Sequence, residues 1–281
     1  MRKKLILTSA ILSGAIALVF SACGGSSGGA TPPTEDWYKP VKTTTWQWQL
    51  QPEDDTDKLN TSYDVNLYDI DLFETPQETI DQLHNDGKKV ICYFSAGTYE
   101  NWRDDAEDFP QEALGNPLDH YPNERWLDIR NDGIKPIMLE RMQLAKEKKC
   151  DGLEPDNIDG YTNDSGFDLK SDDQLAYNIF LAQSAHEMGL SIGLKNDLDQ
   201  VEELVENFDF IVNESCHKYD ECDLLKPFID QNKPVFNAEY DKKYHDEDEF
   251  KELCKDARAR EFQTLFLPKA LDDSFRFTCN P

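Results

Sequence analysis

The chain has 281 residues, and its 56 acidic against 29 basic side chains give a formal net charge of −27. Charge of that sign repels nucleic acid and anionic lipid headgroups and favours cationic partners at long range. Solubility alone also accounts for such a charge, so it selects among substrates that other residues nominate rather than nominating one itself.

Arg2, Lys3 and Lys4 precede an apolar run from Leu5 to Phe20 that ends in Ser21-Ala22-Cys23. A charged start, an apolar stretch and small residues before a cut describe an export signal over 1–22, too short and wrongly flanked for a membrane span. Cys23 at the first mature position resembles a bacterial lipoprotein signal, which implies diacylglycerol on its sulfur and anchoring to a membrane; a plain secretory signal is the alternative. Residues 23–36, with GGSSGGATPP at their centre, read as a flexible tether. Losing the three basic residues of the signal takes the charge from −27 to −30. Residues 37–281 are then expected to form one domain, monomeric and exported.

The first strand is expected over Thr45–Leu50 and the second over Val65–Leu72. A helix over Thr75–Asp86 follows, with Thr75 as cap, Pro76 in its first turn and Gly87 as stop. Lys89–Ala96 is the third strand. A long acidic loop then carries Trp102, Arg103 and Tyr121, with one extended piece at Trp126–Arg130. Pro136–Lys149 has apolar residues at helical spacing and feeds a fourth strand beginning at Cys150. Further helices are expected over Ser171–Met188, Asp199–Asn207, Asp223–Gln231 and Asp246–Arg260. Between and after them lie strands at Ser191–Asn196, Phe208–Glu214, Pro234–Tyr240 and Phe262–Pro268. Eight strands with helices between most of them point to an α/β fold, a (β/α)8 TIM-type barrel. An open doubly wound sheet usually brings a Gly-rich phosphate turn after its first strand, and none is present.

Besides Cys23 there are six cysteines, an even number that in an exported chain suggests disulfides, with fifteen possible pairings. Cys216 with Cys222, Cys254 with Cys279, and Cys92 with Cys150 are the preferred set. No CxxC or HExxH spacing supports a metal site, and no cofactor is expected.

The segment KKCDGLEPDNIDGY, 148–161, gathers acids behind a short strand. Period-two alternation sends Gly152, Glu154 and Asp156 to one side and leaves Asp156 at the strand's C-terminal tip, where barrel enzymes place their chemistry. The same alternation offers Asp69 and Asp71 from strand two, Tyr93 and Ser95 from strand three, Lys195 from strand five, Glu214 from strand six, and Asn237 and Glu239 from strand seven. A structural ion network centred on Lys195 is the plain alternative to a catalytic mouth. Carboxylates converging from several strands are nonetheless costly to bury without function. Two carboxyls across a cleft are what glycosidic cleavage requires, one to protonate the leaving oxygen and one to attack or activate water. Trp46, Trp48, Trp102, Tyr93 and Tyr240 are candidates to stack on sugar faces, or to serve as core.

The segments WQWQL, YDIDLF, VICYFSAGTYENWR, CDGLEPDNIDGY, GLKN, FDFIVNESC and PVFNAEY together resemble glycoside hydrolase family 114, the endo-α-1,4-polygalactosaminidases. The resemblance implies a TIM-type barrel and retaining hydrolysis of α-1,4-linked galactosamine polymer. It makes Asp156 the nucleophile and Glu214 the acid/base. Asp69, Asp71, Tyr93, Glu154, Asn157, Lys195, Glu239 and Tyr240 are expected to line the substrate. Galactosamine units without acetyl groups carry ammonium charge, which suits so acidic a protein. A non-catalytic carbohydrate-binding surface lipoprotein on the same scaffold is the rival reading.

Overall fold

The structure is a computed structural model and describes residues 37–52 and 58–280. The signal, Cys23 and the tether expected over 1–36 lie outside these residues.

All eight expected strands are present, trimmed at their ends: β1 (Trp46–Gln49), β2 (Leu67–Asp71), β3 (Lys89–Ser95), β4 (Gly152–Asp156), β5 (Ser191–Lys195), β6 (Phe210–Glu214), β7 (Val235–Glu239) and β8 (Gln263–Phe266). Each pairs in parallel with the next. Helices α1 (Gln77–Asn85), α2 (Ile134–Glu147), α3 (Ser171–Glu187), α4 (Val201–Leu204), α5 (Cys216–Tyr219), α6 (Lys226–Asp230) and α7 (Glu247–Ala259) cover the outside. The fold is a TIM-type α/β barrel. No helix joins β1 to β2 among the described residues, and no strand ladder joins β8 to β1. That seam is closed by side chains and by the C-terminal segment: the Trp46 indole donates to the Gln263 carbonyl at 2.9 Å, and Arg276 donates to the Trp46 carbonyl at 3.0 Å.

The barrel interior is filled by Trp46, Trp48, Leu67, Ile91, Phe210, Val212, Phe236, Ala238 and Leu265. Gly193 belongs there because a Cβ would lie 2.2 Å from the Phe210 ring. A larger apolar layer, including Ile70, Phe94, Leu153, Ile192, Leu194 and Ile211, packs the outer strand faces against the helices. This assignment corrects the phase expected on β7. Phe236 and Ala238 face inward, so Asn237 and Glu239 face the helices.

The acidic loop after β3 is a second correction. It contains its own antiparallel sheet, in which Tyr121–Leu127 pairs with Thr98–Glu100 on one side and Leu114–Leu118 on the other. Weak strand formers such as Asn, Pro and Glu fill these segments, and tertiary contacts hold them in place. Arg125 donates to the carbonyls of Gly115 and Leu114 at 2.9 and 3.0 Å. At the base of this excursion, Arg103 bridges Asp71 at 2.7 Å and Glu100 at 3.0 Å, and Arg141 of α2 holds Asp105 and the Ser95 carbonyl, each at 2.7 Å. Thr75 does not cap α1; the capping position falls on Pro76, which has no side-chain oxygen to offer.

Three disulfides form, Cys92–Cys150, Cys216–Cys222 and Cys254–Cys279, the preferred set. They tie β3 to the approach of β4, close the turn after β6, and fasten α7 to the C-terminus.

Replacing Arg141 by Leu would leave Asp105 without its cation and Glu100 with Arg103 alone at the excursion's base. The variant should lose roughly 3–5 kcal/mol in urea unfolding, the usual cost of removing one partner of a buried ion pair. A loss below about 1 kcal/mol would show that the excursion does not depend on this anchor.

Candidate active site

Asp156, Lys195 and Glu214 end three consecutive strands, and inward alternation brings them to one place at the barrel's C-terminal mouth. The Lys195 ammonium, 2% exposed, lies 3.0 Å from Asp156 Oδ1, 3.7 Å from Glu214 Oε2 and 3.1 Å from Glu154 Oε1. The Trp48 ring lies 4.6 Å beneath it. Burial pulls this ammonium toward neutrality, but Asp156, Glu154 and Glu214 together outweigh it and raise the lysine well above its ordinary value.

Every hydrogen-bonding neighbour of Asp156 is a donor. Tyr93 Oη reaches Oδ2 at 3.0 Å, and the Asn157 backbone N–H and Lys195 reach Oδ1 at 2.8 and 3.0 Å. That arrangement suits an anion. Glu214 accepts from Tyr240 Oη at 2.7 Å and from Asn196 Nδ2 at 3.3 Å. The two carboxylates are 19% and 33% exposed, so both open into the same cleft.

The strand ends are held by unusual backbone. Asn157, Asn196 and Ser215, directly after these residues, and Asp197, one position further on, have φ of 60°, 50°, 64° and 48°. Left-handed conformations in non-glycine residues cost free energy and collect at functional sites. Gly97 permits one close approach, since a Cβ there would sit 1.6 Å from the Asn157 carbonyl oxygen.

The cleft has a volume of about 1340 Å³. Asp71, Tyr93, Asn157 and Lys195 line it as expected, although Asp71 is already paired with Arg103. Asp69 and Glu154 do not reach it: they lie fully buried in the layer below. Glu239 is on the wrong face of β7, where it accepts the backbone N–H of His217 at 2.9 Å. Tyr240 acts on Glu214 instead of forming the wall. Trp46 is barrel core, Trp48 is buried at the floor of the cleft beneath Lys195, and Trp102 and Tyr121 are exposed on the cleft wall. Cys216, His217 and Cys222 form the one described cluster with metal-ligand spacing, but both sulfurs are committed to a disulfide.

Sequence reading missed Glu124 and Asp159. Glu124 projects from the excursion sheet, and burial, with the Glu100 charge, pushes its carboxyl up to about 7. The Thr98 hydroxyl donates to it at 3.1 Å. Asp159 is pushed up to about 6 by burial and then by Asp156. A dense acid count in the loop was the available signal, with nothing in it to single out Glu124.

The whole-chain comparisons bear on this constellation. The model of glycoside-hydrolase family GH114 matches residues 28–281. The chain belongs to this family. It is therefore a glycoside hydrolase. The crystal structure of Aspergillus fumigatus Ega3 in complex with galactosamine is 39% identical, covering 86% of this chain and 97% of that one, with a TM-score of 0.80. The glycoside hydrolase domain of PelA from Pseudomonas aeruginosa shares the fold at 14% identity and a TM-score of 0.64, covering 84% of this chain and 98% of that one. Comparison with curated protein sequences gave no match.

Below the mouth, Asp197 is buried against Tyr161 and Asn178, whose Nδ2 donates to it at 2.8 Å. Burial and then the Asp159 charge push its carboxyl up to about 8. A raised carboxyl binds its proton more tightly in the fold than in the unfolded chain. Its full stability is present below about pH 4, the unfolded value, and is lost as pH rises through about 8. Asp197→Asn, whose side chain also tolerates the left-handed backbone, should match the wild type at pH 4 and exceed it at pH 9 by a margin that grows by up to about 1.4 kcal/mol per pH unit in between. Thermal unfolding across that range checks this; a constant difference between the two proteins would refute it.

Proposed function

We propose that this glycoside hydrolase acts within chains of α-1,4-linked galactosamine, with Asp156 as nucleophile and Glu214 as acid/base, and retains anomeric configuration. The observation that carries this reading is Lys195, which touches both carboxylates. Its contacts of 3.0 and 3.7 Å, laid end to end, cap the separation of the two oxygens at about 7 Å, and only if the ammonium lies in line between them. That ceiling barely meets the roughly 6.5–9.5 Å of inverting pairs and readily contains the roughly 5–5.5 Å of retaining ones.

In the first step Glu214 gives its proton to the leaving glycosidic oxygen while an Asp156 oxygen bonds to the anomeric carbon. In the second, Glu214 takes a proton from water, whose oxygen displaces Asp156 from the same carbon. A cleft larger than the roughly 300–1,000 Å³ of ordinary small-ligand pockets has room for several sugar units, which supports cutting within a chain. Trp102 and Tyr121 offer aromatic faces for stacking. The galactosamine in the Ega3 structure and the −27 charge of this chain both favour an amine-bearing polymer.

Asp156→Asn and Glu214→Gln should each reduce release of reducing ends from galactosamine polymer by at least about 100-fold, within the range of general-acid and nucleophile losses, while folding is preserved. Early products followed by NMR should be α-anomers, and rates should fall as salt is added. Full activity in either variant, or β-anomers first, would overturn the assignment.

We also propose that the protein is exported and anchored through lipid on Cys23. The basic residues and apolar run before it support this reading, as do three disulfides, which suit an oxidising compartment. No helix of the described residues is long and apolar enough to cross a membrane. Cells given labelled fatty acid should label the wild type and not Cys23→Ala; equal labelling would refute the anchor.

A further inference from the structure

Directly beneath the catalytic mouth lie two carboxyl groups that the reaction does not use. Asp69 of β2 and Glu154 of β4 are fully buried beside each other, close enough for the charge of Glu154 to raise the carboxyl of Asp69. No donor of the described chain reaches Asp69 Oδ1 or Glu154 Oε2. Two carboxylates cannot donate to one another, so side by side and away from other donors they can bond only if one of them carries a proton. Among the described residues the single cation next to them is Lys195, 3.1 Å from Glu154 Oε1. One ammonium beneath Asp156 cannot also neutralise two further buried anions, because each uncompensated charge there costs several kcal/mol.

We propose that Asp69 and Glu154 hold one proton between them and act as positioning residues through Lys195. The pair's single negative charge draws the ammonium down far enough to stay in contact with both Asp156 and Glu214. The inference rests on the assignment of those two residues as the catalytic pair.

Burial, and then the charge of the other carboxyl, raises Asp69; burial also raises Glu154, against the opposing pull of Lys195, and both directions agree with a retained proton. The other titratable groups facing Lys195 are Asp156 from β4, Asp159 from the loop after it, Glu214 from β6, Tyr93 from β3, Tyr240 after β7 and, at longer range, Tyr121. Tyr93 and Tyr240 are raised by burial and then by the carboxylate each one touches, so they remain neutral donors. The charge at this level is therefore set by the pair. As Glu214 loses its proton to the leaving group, Lys195 at 3.7 Å is placed to meet the new charge.

The test uses isosteric variants, each first checked for a native unfolding transition. Asp69→Asn removes the shared proton's second site but leaves one negative charge on Glu154, so both limbs of the pH–rate profile should stay where they are. Asp69→Asn/Glu154→Gln removes the charge altogether. Each catalytic carboxyl then becomes easier to ionise, and both limbs should move down by about one pH unit, with kcat affected more than KM. A shift already present in Asp69→Asn would mean that the pair carried two charges, and no shift in either variant would mean that it carried none; both results overturn the proposal. Infrared difference spectra of the resting protein give a readout that needs no activity. A protonated-carboxyl band assigned to this pair should be present at pH 7 in the wild type and absent from Asp69→Asn. Its persistence in that variant would sink the shared proton even if Asp156 and Glu214 proved to be the catalytic pair, and an intact band with inactive assignments would instead fault the catalytic reading.

Discussion

The ammonium of Lys195 is the constraint around which the mouth is built. Three carboxylates from two strands converge on it within 4 Å, and among the described residues no other cation approaches Asp156 or Glu214 so closely. Bringing these acids together without it would set like charges against one another in a site partly withdrawn from water. With it, Asp156 accepts three donors at 2.8–3.0 Å, whereas Glu214 has one short bond, from Tyr240 at 2.7 Å, and longer contacts of 3.3 and 3.7 Å to Asn196 and the cation. The two acids share a ligand but not an environment, and that difference is what allows two chemically similar groups to take opposite roles.

Holding that geometry requires rigid strand ends. The left-handed residues after Asp156, Lys195 and Glu214 turn the chain sharply away, so each functional side chain is the last inward residue of its strand. Hydrogen bonds repay part of the strain. Asn157 donates to the Ser95 hydroxyl at 3.0 Å, and the Asn196 side chain accepts the Glu214 backbone N–H at 2.9 Å. On the outer face, Glu239 secures the α5 turn through His217. A single β7 tip therefore braces the acid/base candidate twice, through Glu239 outside the barrel and Tyr240 inside it.

The strands and the catalytic candidates were legible from the chain because parallel strands sit between helices and punctuation that mark their ends. Asp156 and Glu214 were legible because a carboxylate at a strand tip is chemically conspicuous. Alternation failed on β7 for a physical reason. Both faces of that strand are buried, and its outward residues Asn237 and Glu239 are polar while inward Phe236 and Ala238 are apolar. The polar outer set belongs to a buried hydrogen-bonded patch, with Asn237 donating to Asn213 and accepting from Thr264. Polarity in such a strand does not report which side faces the mouth. The excursion sheet was invisible for another reason: its strands are stabilised by arginine contacts distant in sequence and carry little propensity of their own.

This excursion also changes what the chain's acidity means. Asp69, Glu154 and Glu239 are sequestered, and Asp71 and Glu100 are neutralised by Arg103, so these strand acids contribute little free charge to the cleft. Of the other acids lining the cleft, Glu74 and Glu78 near α1 are exposed, while Glu124 and Asp159, from the connections after β3 and β4, are the two partly withdrawn from water. Burial raises both toward neutrality, and a neighbouring ammonium would favour their charged forms. Binding of a cationic sugar would therefore draw protons off these groups, so that their charge appears where the ligand is present and the empty cleft is spared part of the repulsion. The barrel strands fix the proposed catalytic pair, while Glu124 and Asp159, from the connections after β3 and β4, form a wall whose charge responds to what lies against it.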